Sequence, residues 1–123
     1  MAKRLSADHM RQHGGTTITP TVPLLRYWWH RFNREIFGGV LLSCELRVQS
    51  CAAYNAVGLM WPLPQRRTRI DISPATRAKG EILATLLHEM VHQYQHEHRQ
   101  PLNHGPTFSA WRAPIEVETG LTI

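Results

Sequence analysis

The chain has 123 residues, 42% hydrophobic and 19% charged, which is the size and balance of one globular domain with a single core. No apolar run approaches the ~20 residues that span a bilayer, and the basic segment Met1 to His9 lacks the apolar stretch of a secretory signal, so a cytoplasmic, nucleoid-associated or free, monomeric protein is expected. The formal charge of +5 suits an anionic partner such as nucleic acid, although simple solubility also accounts for it.

In chain order, residues 1–20 carry Lys3, Arg4, His9, Arg11 and His13 with Gly14-Gly15 and no periodicity, and are expected to form a basic, flexible arm before a domain over 21–123. From Pro23 to Phe37 the apolar residues Leu25, Trp28, Trp29, Phe32 and Ile36 recur at helical spacing. Thr21 is a suitable cap, and Gly38-Gly39 end the helix. Three alternating segments, Cys44–Ser50, Ala56–Trp61 and Arg67–Ser73, predict strands. Cys44 and Cys51 are too few for a disulfide framework and are read as reduced, mostly buried fillers. A second helix is predicted from Lys79 to Glu97, with Ile82, Leu83, Leu86, Leu87, Met90, Val91 and Tyr94 on its buried side. A short last helix runs from Thr107 to about Glu118. The predicted class is α+β: a small three-stranded, mainly antiparallel sheet packed on the first helix and the Lys79–Glu97 helix.

His88-Glu89-Met90-Val91-His92 has the H-E-x-x-H pattern. Imidazoles at i and i+4 lie one turn apart on a helix and can share one tetrahedral ion. Glu89 is rotated about 100° from His88, so it can accept a proton from water at the ion without occupying the ion itself. A catalytic zinc needs a third protein ligand and an open position. His96 lies two turns, about 12 Å, from His88 and cannot close the site. His98 sits at the fraying helix end. His104, after eleven intervening residues and before Gly105, is favoured, while Glu116 or Glu118 would make a His₂Glu site instead.

With His104-Gly105-Pro106-Thr107-Phe108 following it, the H-E-x-x-H segment resembles the SprT-like zinc metallopeptidases, the group that includes the Spartan DNA–protein crosslink protease. Phe32 to Gly39 with Leu41, Gly58-Leu59-Met60 and Ile70-Asp71-Ile72-Ser73 add looser matches in the same order, over about residues 23–112. The resemblance implies a zincin-like fold, with His88, His92 and His104 binding one catalytic Zn²⁺ and Glu89 as general base. It also implies a broad-specificity endopeptidase, acting on extended polypeptide laid along the Arg67–Ser73 edge, and on DNA-bound or crosslinked proteins. No Cys pair follows Phe108, so DNA contacts are expected from the core surface or the arm.

Tyr94 and His98 are weak candidates for stabilising the transition state. Arg66, Arg67, Arg69, Arg77 and Lys79 with Trp28 and Trp29 would form a single-strand platform if exposed, but the two Trp belong to the apolar stripe and are expected in the core. The competing function is a zinc-stabilised nucleic-acid-binding or regulatory module without significant protease activity.

Overall fold

The computed structural model describes residues 10–123. Helix α1, Val22–Glu35, begins where expected: Thr21 Oγ1 accepts a hydrogen bond from the Leu24 N–H at 3.2 Å, and Pro23 occupies the first turn. Leu25, Trp28, Trp29 and Phe32 form its buried stripe. Gly38 and Gly39, at φ of 65° and 76°, turn the chain back. The Asn33 side chain then clamps both main-chain groups of Leu41.

Strands β1 (Glu45–Val48), β2 (Gly58–Pro62) and β3 (Thr68–Ile72) form one sheet in the order β1-β3-β2. β1 runs parallel to β3 and β2 antiparallel to it, so the sheet is mixed rather than mainly antiparallel. The Arg67–Ser73 segment, expected at the edge, is the centre of the sheet. β2 is the edge strand beside the helix that carries the H-E-x-x-H segment. Thr68, Ile70 and Ile72 are buried on one face of β3, and Asp71 is only 2% exposed on the other. Trp61 Nε1 donates to Asp71 at 2.9 Å, and Arg69 reaches the same carboxylate with two bonds of 3.0 Å. A charge is therefore buried because it is paired.

Helix α2, Lys79–Glu97, packs on this sheet through Ile82, Leu83, Leu86, Leu87, Met90 and Val91, all with no exposed surface. Its N-cap, Ala78, has no side chain able to cap. The first N–H groups instead donate to the preceding chain: Lys79 to Thr16 O at 2.9 Å and Gly80 to Gly14 O at 2.7 Å. Residues 10–18 of the expected arm are thus tied down, with Met10 in the core and Thr17 bridged to Ala78. The rest of that arm, residues 1–9, lies outside the described residues.

A buried polar network joins α1 to α2. Trp29 Nε1 donates to Gln93 Oε1 at 3.0 Å, and Gln93 Nε2 donates to Leu42 O and Glu97 Oε2. Glu97 Oε1 accepts from the Leu42 N–H. Trp28 and Trp29 are each 3% exposed, which removes them from any aromatic platform. Both cysteines are free, Cys51 buried and Cys44 partly so. Helix α3, Pro106–Thr119, closes the fold and ends at Gly120, whose N–H bonds Glu116 O from a left-handed backbone. Among the described residues no helix is long and apolar enough to cross a membrane.

Candidate metal centre

His88 and His92 project from adjacent turns of α2, outside its apolar rows, and their rings lie 5.1 Å apart. The chain leaves α2 at Arg99, which adopts a positive φ of 56°, and returns through Pro101 to Pro106. This brings His104 over the pair. Its Nε2 lies 3.0 Å from His88 Nε2 and 3.2 Å from His92 Nε2. The turn is shaped locally by the Gly105 N–H, which donates to Asn103 Oδ1 at 2.9 Å. Beneath the three rings sits Phe108, fully buried, with centroid separations of 4.8, 5.1 and 4.8 Å to His88, His92 and His104.

Three Nε2 atoms bound at 2.0–2.1 Å to one tetrahedral ion stand about 3.3 Å apart. The observed spacings are close to that, and all three donor atoms lie within 4.8 Å of one another. Burial, then the neighbouring His92 and His104, pushes His88 down to about 4, so its ring is neutral at pH 7. Burial also lowers His92, against the hydrogen bond to Gln95 Oε1. Neutral imidazoles with convergent lone pairs repel unless a cation or proton lies between them, and one proton on His104 cannot serve both neighbours equally. The donor set fits a divalent metal with an open fourth position.

Glu89 reaches β2, with its Cγ against Gly58, and is not a member of the histidine cluster. It is 8% exposed, and burial raises its carboxyl to about 7 against the opposing hydrogen bond from the Met60 main chain. Gly58 lets α2 pack this close to β2: a Cβ there would stand 2.4 Å from Thr85 Cγ2, whereas Glu89 Cγ, at 3.5 Å, would be an ordinary contact. The Ser73 N–H donates to Val57 O and the Leu63 N–H to Arg67 O, each at 2.8 Å. By antiparallel alternation, Gly58 and Met60 then point their main-chain groups away from β3; the Met60 N–H is taken by Glu89, which leaves the Gly58 groups and the Met60 carbonyl along the outer edge. A cleft of about 650 Å³ opens next to His88 and Glu89, walled by Val57, Gly58, Ala84, Thr85 and Ile123.

The chain matches the SprT-like family over residues 24–123. It belongs to that family. This SprT-like chain is also similar to the DNA-dependent metalloprotease dvc-1 of Caenorhabditis elegans, 31% identical over 103 residues. The alignment covers 76% of this chain and 28% of the relative, so the chain spans well under a third of that protein's length.

The other candidate residues of this SprT-like sequence lie elsewhere. Glu116 Oε2 accepts from the Ile123 N–H at 2.9 Å, and neither Glu116 nor Glu118 joins the histidine cluster. His98 bonds Tyr94 O and stacks on the Tyr94 ring at 3.9 Å, while Tyr94 also packs on Trp111. These are structural contacts. Two residues of the site were not singled out individually from the sequence. Phe108 was visible only as part of the H-G-x-x-F segment, and Gln95 carried no signal beyond being a polar residue on a predominantly buried helix.

Proposed function

We propose that this chain is a zinc-dependent endopeptidase that cleaves extended polypeptide with broad specificity, acting on proteins bound to DNA. The observation that carries this reading is the convergence of three imidazole Nε2 atoms beside a buried carboxylate and a free strand edge. His88, His92 and His104 would hold the ion. When bound, it supplies a Lewis acid that acidifies water and polarises the scissile carbonyl. Glu89, a buried carboxylate next to the histidine-bearing turn, would take a proton from water and return it to the leaving amine. The outward main-chain groups of Gly58 and the Met60 carbonyl can pair with substrate as an added strand. Such pairing reads backbone rather than side chains, which supports broad specificity.

The DNA element rests on the charge of +5 and on the named activity of the worm relative. Arg66, Arg67 and Arg99 are exposed, and Arg66 and Arg99 share a surface hollow with His96 beyond the metal centre. The test is cleavage of an unfolded protein by the full chain, with and without a single-stranded oligonucleotide. Chelator-sensitive fragments are expected, stimulated by the oligonucleotide. Oligonucleotide affinity should fall steeply between about 50 and 200 mM salt, as counterion release requires. Cleavage that persists in chelator would reject the metallopeptidase, and salt-indifferent binding would reject the DNA element.

A further inference from the structure

Gln95 is fully buried on α2, three residues beyond His92. Its Oε1 lies 2.7 Å from His92 Nδ1, and its Nε2 lies 2.9 Å from both Asn103 O and Thr107 Oγ1. The Asn103 carbonyl can only accept a hydrogen bond, so the end of the amide facing it must be the NH₂ group. Oε1 is therefore fixed at the other end. Because Oε1 also only accepts, the proton in the bond to His92 must sit on Nδ1 of the ring. The free lone pair of His92 is then on Nε2, the atom that faces His104 at 3.2 Å.

The same amide bridges two parts of the chain. One end holds a ring on α2, and the other holds the 103–107 segment that delivers His104. Three of the amide's four hydrogen-bonding positions, including both N–H donors, are used on groups that flank the centre from both sides. We infer that Gln95 is a positioning residue of the metal centre, selecting the metal-binding tautomer of His92 and fastening the His104 turn to α2. This rests on the metal-centre reading above and adds to it a residue outside the H-E-x-x-H and H-G-x-x-F segments. A purely structural Gln95 would affect stability but neither the ring tautomer nor the affinity for metal.

The experiment has two readouts on the full chain. Long-range ¹H–¹⁵N NMR of the metal-free protein at pH 8 reports the His92 tautomer directly. Chelator competition then gives zinc affinity for the unaltered chain, Gln95→Leu and Gln95→Glu. The Nδ1–H form of His92 is expected. Gln95→Leu should bind zinc about 10–100-fold more weakly, the usual effect of losing a partner that orients a ligand. Gln95→Glu keeps an acceptor for the His92 proton and should retain more affinity than Gln95→Leu. An Nε2–H tautomer in the unaltered chain, or zinc affinity in Gln95→Leu within about twofold of it, would overturn the inference. If Gln95→Leu fails to fold, the tautomer decides. An unaltered chain that binds no zinc at all rejects the metal centre itself, whatever the role of Gln95.

Discussion

Replacing Glu89 with Gln is expected to lower peptide hydrolysis by about 10²–10⁴-fold, the range for loss of a general base, while leaving zinc affinity nearly unchanged. The amide has the shape of the carboxylate but cannot accept the proton, and Glu89 is not one of the three clustered ligands. The same substitution carries a second signature in the metal-free protein. Folding raises the Glu89 carboxyl to about 7 from an ordinary 4.5, chiefly by burial. A carboxyl raised in this way favours the folded state fully below the unfolded value, and that contribution disappears as pH rises through 7. Ionising it in place costs about 3 kcal/mol at pH 8. Metal-free Glu89→Gln should therefore resist denaturant better than the unaltered chain at pH 8, with the difference shrinking towards pH 5. Urea unfolding in chelator at the two pH values measures this. A variant that still cleaves at the original rate would remove Glu89 from the mechanism.

His104→Ala should weaken zinc binding by well over the ~100-fold typical of losing only a ligand's hydrogen-bond partner. The side chain is exposed, so the fold should survive, with an unchanged far-ultraviolet spectrum. Glu116→Ala is the matched control. Its carboxylate is engaged by the Ile123 N–H, and zinc affinity should not change. Chelator competition on the two variants separates a His₃ centre from a His₂Glu centre. Equal affinity in His104→Ala and the unaltered chain would place the third ligand elsewhere.

Much of this architecture was legible because it depends on short-range periodicity. Helix α2 spans the predicted Lys79–Glu97, since two adjacent apolar rows declare both its length and its buried side. The relation of His88 to His92 is a property of one helix turn, so spacing alone sets it. His104 could only be favoured from spacing, because a returning loop obeys no period; the H-G-x-x-F resemblance made the choice.

What remained hidden is non-local. Alternation in Arg67–Ser73 describes a strand but not its neighbours, and the apparent solvent face of β3 proves covered. Asp71 looks like an exposed polar residue until Trp61 and Arg69 are seen folded over it. The edge therefore falls on β2, whose Met60 N–H bonds Glu89. Residues 14–18 contribute mainly through main-chain hydrogen bonds to the start of α2, which leave little trace in side-chain pattern. Gln95 was silent for a related reason. A buried amide on a helix is recognisable as a positioning group only when the partners at both of its ends are known.

The most direct test of the central claim is anomalous diffraction at the zinc edge from crystals of the full chain grown with zinc. A single strong peak about 2.0–2.1 Å from the Nε2 atoms of His88, His92 and His104 is predicted, with no fourth protein ligand. A peak at another site, or a His104 ring directed away from the other two, would contradict it.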